Sequence, residues 1–427
     1  MRILIVSQYF WPESFILNEL ARKLAEAGNA VVVATGKPNY PSGKVASGYT
    51  KNGVQRETYA GGIEIIRIPS RPRGKTSAFN LSLNYLSFML SGLTRLPWLL
   101  QGRRFDIILV FASPITAAIP AILLRFIKHS HLALWVQDLW PDAVISTGFV
   151  RNRLVINALG LMVRFVYRAA NTLLVQSDAF VVPISKYVSK DKVFVLPNFA
   201  ASSTEEIPPR LPDSIEGLFG GRYSVVFAGN LGRAQSLPTI VEAARILRSY
   251  PEILIVIAGT GSDAEWLKQT IASEDLTNIV LTGQLNSGLM PALFKLADCL
   301  LVTLRDEAGL NATIPSKVQA YLNAGRPIIG ALNGEGARLI ELAGAGLTAR
   351  AEDGTGLAER IVTLYEMPAA KRSEFAEAGQ AYYDQHFSVD KVISRFLRIL
   401  QSRSTILYST SELRMTVLSP IDVNGPT

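Results

Sequence analysis

The chain has 427 residues, of which 48% are hydrophobic and 18% are charged. This length exceeds what one hydrophobic core supports, and this composition excludes an intrinsically disordered chain. One cysteine and three histidines exclude an internal disulfide framework and argue against a metal site built from these side chains. The net charge of +8 is uneven, because residues 1–199 carry 23 Lys and Arg against 10 Asp and Glu, whereas the remainder carries 20 against 25.

The basic N-terminal half predicts an anionic partner: nucleic acid, an anionic membrane surface or an acidic substrate. The sequence has no helix-turn-helix, zinc-finger or aromatic RNA-binding signature, so nucleic acid is not expected. The chain starts with a strand pattern rather than a basic stretch followed by an apolar one. No secretory signal is therefore expected, and the predicted location is the cytoplasm.

Residues 1–199 alternate short apolar segments with amphipathic ones, a pattern that predicts a parallel, doubly wound sheet. The predicted strands are residues 3–7, 30–35, 63–68, 107–111, 133–137 and 172–175. The predicted helices are residues 15–26, 117–126 and 155–168. Sheets of this kind bind ligands at the carboxyl ends of their strands, so residues that directly follow a strand are candidates for a site.

An apolar tract covers residues 79–104, but two asparagines, Arg95 and Pro97 interrupt it. A helix that crosses a bilayer needs about 20 mostly apolar residues, so this tract is a poor membrane span. Its Trp98 and the arginines on both sides of it favour a helix that lies in the interface of an anionic membrane. The alternative is a core helix with exposed basic ends, and the sequence leaves both possibilities open.

The second half of the chain predicts another domain of the same class. Residues 200–221 are rich in Pro, Ser and Gly and predict a linker. The predicted strands that follow are residues 223–228, 253–258, 279–282, 299–304 and 327–330, and the predicted helices are residues 237–249, 262–272, 290–295, 315–322 and 336–343. Residues 385–402 predict a helix that crosses back to the N-terminal domain, and residues 403–427 predict a loosely ordered tail.

Three turns of the second half have the composition of an anion site. They contain Gly229, Asn230, Gly232, Arg233 and Gln235 in the first turn, Gly259 and Gly261 in the second, and Pro315, Ser316 and Lys317 in the third. Glycine lets backbone N–H groups approach a phosphate, and a helix N-terminus with a lysine in its first turn attracts anions. A single turn of this kind is weak evidence, since ordinary turns and capped helices look the same. Three turns at strand ends of one sheet predict a single ligand crevice.

Four acidic residues follow predicted strands and are candidates for chemistry. Asp306 and Glu307 follow the strand at 299–304, Asp138 follows the strand at 133–137, and Glu13 follows the strand at 3–7. An acid in this position lies at the ligand edge of a parallel sheet. The alternative for Asp306 and Glu307 is a solvated loop.

Together these segments resemble a family 4 glycosyltransferase of the GT-B architecture, and in detail the bacterial O-antigen and capsule subgroup that includes L-fucosamine transferases. The resemblance is carried by SQYFWPES, KPNYPSGK, QDLWPD, FAGNLGRAQ, IAGTGSD and IPSKVQAYLNAGRPII. It implies an α/β fold of two Rossmann-like domains with parallel sheets facing an interdomain cleft. The N-terminal acceptor-binding domain would be residues 1–199, and the C-terminal nucleotide-sugar-binding domain would be residues 222–384.

The resemblance also implies a retaining transferase that moves a sugar, an amino- or deoxy-hexose, from a UDP-sugar to a lipid-linked glycan. The implied location is the inner face of the cytoplasmic membrane, and neither a cofactor nor a metal is implied. The first turn would bind the donor diphosphate, the second would lie near the base or ribose, and the third would present a helix N-terminus to the diphosphate. The implied catalytic candidates are Asp138, Asp306, Glu307 and Lys317, and the implied acceptor-side residues are Glu13 and Asp138.

The sequence departs from the family pattern at several positions. Ala312 and Ala320 stand where many relatives carry two Glu, Gln137 stands before Asp138 where many carry His, and Gln235 stands where many carry Lys. Two rivals remain open, and the missing Glu pair and His favour the second of them. One is a GT-B epimerase or phosphorylase that acts on a soluble substrate, and the other is a non-catalytic scaffold that binds sugar nucleotides.

Overall fold

The structure is a computed structural model that describes residues 1–74, 77–146, 152–200 and 210–416. The chain forms two compact units. The first unit contains Met1–Val175, Val181–Leu196 and the C-terminal part from Ile393, and the second contains Gln176–Phe180 and Pro197–Val392. Each unit is an α/β structure built around its own sheet.

The first unit has an eight-stranded sheet. Its strands are β1 (Arg2–Val6), β2 (Ala30–Thr35), β3 (Gln55–Tyr59), β4 (Ile63–Arg67), β5 (Ile107–Phe111), β6 (His131–Val136), β7 (Thr172–Val175) and β8 (Val193–Val195). The strand order is β3-β4-β2-β1-β5-β6-β7-β8, and only β3 runs antiparallel to its neighbour. The order reverses between β1 and β5, which places the ligand crevice of such a sheet at the carboxyl ends of these strands.

Helices of the first unit connect these strands. They are α1 (Ile16–Glu26), α2 (Ala78–Leu99), α3 (Ala118–Lys128), α4 (Asp142–Ser146), α5 (Arg153–Ala169) and α6 (Val181–Ser185). Every residue of β5 and β6 is buried, as expected for strands whose two faces are both covered. The sequence predicted β5 over the same residues because they are continuously apolar, whereas the strand predicted at 133–137 begins two residues later than β6, which starts with His131.

The second unit has a six-stranded parallel sheet. Its strands are β9 (Tyr223–Ala228), β10 (Ile253–Ala258), β11 (Ile279–Gly283), β12 (Cys299–Thr303), β13 (Ile328–Ala331) and β14 (Gly346–Ala349), in the order β11-β10-β9-β12-β13-β14. Its helices are α7 (Asp213–Glu216), α8 (Leu237–Ile246), α9 (Ala264–Ser273), α10 (Met290–Leu296), α11 (Ala308–Ala312), α12 (Ser316–Ala324), α13 (Glu335–Leu342), α14 (Gly354–Glu366) and α15 (Ala369–His386). The order reverses between β9 and β12, so the first and third candidate turns follow the two strands at the reversal.

The linker and the C-terminal segment differ from the sequence prediction. Of the predicted linker at 200–221, residues 201–209 lie outside the described residues, and Leu211 and Ile215 pack in the core of the second unit. The last helix, α16 (Val389–Thr416), continues past residue 402, where we placed the start of a loose tail. It continues because no Gly or Pro follows until residue 420. Residues 417–427 of the predicted tail lie outside the described residues.

The apolar tract forms α2, which has two different sides. Phe88 and Leu96 are fully buried, whereas the side chains of Phe79 and Trp98 are 71% and 78% exposed. One side of the helix is therefore part of the core, as the core-helix alternative predicts, and the other side is exposed. Among the described residues, no helix has the length and apolar content that a bilayer crossing requires.

Candidate active site

The first and second candidate turns of the second unit are joined through their backbones. The N–H of Gly229, directly after β9, donates to the carbonyl oxygen of Ala258 at 2.8 Å, and the N–H of Leu231 donates to that of Thr260 at 2.8 Å. A Cβ atom at Gly259 would lie 1.8 Å from the carbonyl oxygen of Gly229, and Gly259 has a φ of 155°. Only glycine fits at this position, because the backbones of the two turns lie too close for a side chain.

The rest of the first turn is held by the strand that follows it in the sheet. The hydroxyl of Thr303, at the end of β12, donates to the carbonyl oxygen of Gln235, and the N–H of Arg305 donates to that of Ala234 at 3.0 Å. Asn230 and Arg233 are exposed, so their side chains are available to a ligand. At Gly232 a Cβ atom would lie 2.7 Å from the side-chain nitrogen of Asn230.

The third turn brings the N-terminus of α12 to the first turn. Pro315 is the N-cap residue, no side chain caps the helix, and Ser316 is exposed. The first N–H groups of a helix have no partner within the helix, and together with the helix dipole they attract anions. A Cβ atom at Gly229 would lie 2.6 Å from Cε of Lys317, so the lysine side chain lies directly against the first turn.

Lys317 is the cation of this arrangement. Its Nζ donates to Oε1 of Gln235 and lies 3.6 Å from the centroid of the Phe227 ring. No carboxylate of a described residue lies within ion-pair distance of it. Burial lowers the pKa of Lys317 to about 7, because the buried ammonium has little solvation. A phosphate that binds here would supply the missing negative charge.

Tyr321 was missed by the sequence analysis as a site residue, because its helical spacing indicated only a core position. It is fully buried, and its hydroxyl accepts a hydrogen bond from the N–H of Ala228 at 3.2 Å. This bond ties α12 to the end of β9. Tyr321 therefore fixes the distance between the helix N-terminus and the first turn.

The two acids of the second unit are engaged with neighbouring groups. Oδ1 of Asp306 accepts a hydrogen bond from the side chain of Asn311 at 2.7 Å, and this bond is the main reason why the pKa of Asp306 is lowered. Glu307 is the N-cap residue of α11 and lies 3.8 Å from the guanidinium of Arg305. Asp306 is thus an ionised acceptor rather than a proton-accepting base at neutral pH.

A polar pocket of about 620 Å³ borders the first turn. It is lined by Arg233, Ser236, Pro238, Thr239, Glu242, Ser262, Asp263, Trp266, Arg305 and Glu352. The sequence analysis named only Arg233 among them as a site residue; Ser262 and Asp263 end the IAGTGSD segment, and the others come from separate helices and loops.

In the first unit, Glu13 holds two loops together. Its Oε1 accepts hydrogen bonds from the backbone N–H groups of Asn39 and Tyr40, both at 2.7 Å, and its Oε2 accepts one from Phe10 at 3.2 Å. Burial raises the pKa of Glu13, and these amide bonds partly oppose that shift. Glu13 is only 6% exposed. Its carboxylate therefore positions the loops at this edge of the sheet, and little of its surface is left for a ligand.

Asp138 follows β6 at the same edge of the first sheet. Its Oδ2 accepts a hydrogen bond from the hydroxyl of Ser113 at 3.2 Å. Burial raises the pKa of Asp138, and the serine opposes this shift. A carboxylate with a raised pKa can accept a proton closer to neutral pH, which keeps Asp138 as the acidic candidate of this unit.

The fold has counterparts among solved structures. HepE from Anabaena in complex with UDP matches with a TM-score of 0.66 and 16% identity over 94% of this chain and all of HepE. The two-sheet α/β fold is therefore the GT-B fold that the sequence predicted.

Sequence comparison matches two family models to two segments of the chain. The model of glycosyl transferases group 1 matches residues 213–382, and the model of the glycosyl transferase 4-like domain matches residues 15–198. Both matched segments are thus similar to glycosyl transferase domains, and the chain is a glycosyltransferase, an enzyme that transfers glycosyl groups.

Two named relatives agree with this assignment. WcaI of Escherichia coli (strain K12), named as a colanic acid biosynthesis glycosyl transferase, is 25% identical over 76% of this chain and 82% of its own length. The probable glycosyltransferase WbjE of Pseudomonas aeruginosa is 24% identical over 72% of this chain and 78% of its own length.

Proposed function

We propose that the protein is a retaining glycosyltransferase of surface polysaccharide biosynthesis. It takes a sugar, an amino- or deoxy-hexose, from a UDP-sugar and transfers it to a lipid-linked glycan of the O-antigen or capsule type. The observation that carries the proposal is the placement of the Lys317 amine against Gly229, beside the uncapped N-terminus of α12.

The leaving diphosphate explains why this placement matters. Breaking the glycosidic bond leaves negative charge on the diphosphate, and preorganised donors stabilise that charge as it develops. Lys317 and the first N–H groups of α12 are such donors, whereas the N–H groups of Gly229 and Leu231 are already bonded to backbone carbonyls. One oxyanion donor of this type contributes about 3 kcal/mol, so loss of the lysine should lower turnover by roughly a hundredfold.

The choice of UDP and of polysaccharide as substrates draws support from the similar proteins. HepE has a structure with UDP, and WcaI carries colanic acid biosynthesis in its name. The amino- or deoxy-hexose is the part of the proposal that comes from the resemblance to L-fucosamine transferases.

Asp138 is proposed on the acceptor side, and the departing phosphate is proposed to accept the proton of the acceptor hydroxyl.

Contact with an anionic membrane is also part of the proposal. Three helices of the first unit expose large apolar side chains, and α3 packs against both α2 and α5. The residues are Phe79, Leu86, Leu90 and Trp98 on α2, Phe126 and Ile127 on α3, and Leu154, Leu161 and Phe165 on α5. Apolar side chains on a strongly basic unit fit the interface of an anionic bilayer, where a lipid-linked acceptor resides.

The test is a transfer assay with Lys317→Ala and, as matched control, Lys268→Ala, which removes an exposed lysine of α9. The folded Lys317 variant should release UDP from UDP-sugars roughly a hundredfold more slowly, and the control should match the wild type. Near-normal transfer by Lys317→Ala would refute the role of the lysine.

The same assay separates the rivals. A scaffold would release no UDP from any sugar nucleotide. An epimerase would return an isomerised UDP-sugar without UDP release, and a phosphorylase would need inorganic phosphate to form a sugar phosphate.

A further inference from the structure

Three loops at the ligand edge of the first unit place an arginine on two tyrosine rings. Cζ of Arg73 lies 5.0 Å from the centroid of the Tyr40 ring and 6.0 Å from that of the Tyr9 ring. The two tyrosine rings are 6.1 Å apart, and Phe15 packs against both of them, at 5.7 Å from Tyr9 and 5.5 Å from Tyr40. The loops follow β1, β2 and β4, which are neighbours in the sheet.

The position of the two rings is fixed by buried hydrogen bonds. The hydroxyl of Tyr9 donates to Oδ1 of Asn84 at 2.9 Å, and Asn84 is fully buried on α2. The backbone N–H of Tyr40 donates to Glu13 at 2.7 Å. The backbone N–H of Arg73 donates to Oδ1 of Asn39 at 3.0 Å. Arginine and rings are therefore held in place before any ligand arrives.

Arg73 makes no ion pair within this cluster, because the nearby carboxylate of Glu13 is bonded to the backbone N–H groups of Asn39 and Tyr40 instead. Among the described residues, no carboxylate lies within ion-pair distance of its guanidinium, and no oxygen accepts a hydrogen bond from it. Arg67 in the same unit shows the contrast, because its guanidinium is bonded to Glu57 and to two carbonyl oxygens. The faces of two rings attract a guanidinium without neutralising it, so the N–H donors of Arg73 stay available.

The cluster also lies on the same side as the acidic candidate of this unit. Burial raises the pKa of Tyr85, and the charges of Arg73 and Asp138 both act on that pKa, in opposite directions. Tyr85 is thus within electrostatic reach of both. Arg73 follows β4 and Asp138 follows β6, so both lie at the carboxyl-end edge of this sheet.

We propose that Arg73, oriented by Tyr9 and Tyr40, binds a phosphate or diphosphate group of the acceptor. The planar fork of a guanidinium matches phosphate oxygens with two parallel hydrogen bonds. Tyr40 is 45% exposed, so a ligand can reach the cluster from the side of this ring. The inference rests on the proposed function, since a lipid-linked glycan carries such a diphosphate next to its first sugar. A free phosphate has the same chemistry and is the second source to be distinguished.

The experiment titrates the full chain with farnesyl diphosphate and, in a second arm, with inorganic pyrophosphate. Saturating UDP is present throughout, so that the anion site of the second unit is occupied. Arg73→Ala should weaken binding of farnesyl diphosphate by about 10- to 100-fold, the expected loss for hydrogen bonds to a charged group. Arg73→Lys keeps the charge but not the planar fork, so its affinity should lie between that of the wild type and that of Arg73→Ala. Arg71→Ala, which removes an exposed arginine two residues away, is the matched control and should bind like the wild type.

The proposal would be overturned if Arg73→Ala and the control bound both diphosphates with equal affinity. It would also be overturned if the chain bound glucuronate in an Arg73-dependent way and bound neither diphosphate. Binding that is tighter for farnesyl diphosphate assigns the site to a lipid-linked acceptor, whereas equal binding of pyrophosphate assigns it to free phosphate. If Arg73→Ala does not fold, the comparison of Arg73→Lys and Arg73→Gln with the control decides. If the chain binds no UDP, the proposed function fails separately, and the same titration is made on the Lys317→Ala background.

Discussion

The lowered pKa of Lys317 predicts that donor binding takes up a proton. The free protein has a pKa of about 7 at this lysine, so at pH 8 about 0.9 of the molecules carry the neutral amine, and at pH 6 about 0.1 do. A bound diphosphate favours the ammonium and raises its pKa. Binding should therefore take up about 0.9 proton at pH 8 and about 0.1 at pH 6, and affinity should fall by up to about tenfold per pH unit above 7.

Isothermal titration with UDP-glucose measures this uptake, since the heat of binding changes with the ionisation enthalpy of the buffer. UDP-glucose is a diphosphate diester and does not titrate in this range. The pKa of Asp306 is lowered and that of Tyr321 is raised, so neither group titrates between pH 6 and 9. Lys317→Gln should abolish the pH-dependent uptake. Equal uptake at pH 6 and pH 8, or uptake that persists in Lys317→Gln, would refute the reasoning.

Three further predictions concern the frame around this site and the exposed apolar helices. Gly259→Ala should abolish UDP-glucose binding, because its Cβ would lie 1.8 Å from a backbone oxygen, whereas Gly309→Ala has open space and should bind normally. Tyr321→Phe leaves the buried N–H of Ala228 without its partner and should lower the free energy of urea unfolding by about 1–3 kcal/mol. An unchanged free energy of unfolding would contradict the hydrogen bond between Ala228 and Tyr321. Trp98→Ser should weaken co-sedimentation with phosphatidylglycerol vesicles by roughly tenfold, and Trp266→Ser, from the other unit, should not; equal binding of both variants would exclude Trp98 from the membrane contact.

Much of the fold could be predicted because buried parallel strands are continuous apolar runs. The ranges predicted for β5, β9 and β10 are those observed. β3 was missed because its sequence, QRETY, is polar, as an edge strand can be, and α14 was missed because Gly354 and Gly356 lie in its first turn.

The candidate site could be predicted only in part, because sequence patterns are local. Each glycine turn was recognisable where a strand ends. The bond between Lys317 and Gln235 joins residues 82 positions apart, and no local pattern contains it. Arg73 was read only as one of several basic residues near an apolar tract, since its stacking on Tyr40 depends on how two loops fold back on each other. Helical spacing likewise reveals that Tyr321 is buried but not what its hydroxyl binds.

The interlocked turns after β9 and β10 constrain how this enzyme can evolve. Neither Gly229 nor Gly259 can gain a side chain without moving the backbone of its neighbour or the amine of Lys317. If these turns bind the donor as proposed, substitutions at these two positions disrupt the turns rather than change which sugar is preferred. Relatives that accept a different sugar should keep these glycines and vary instead in the exposed side chains that surround them.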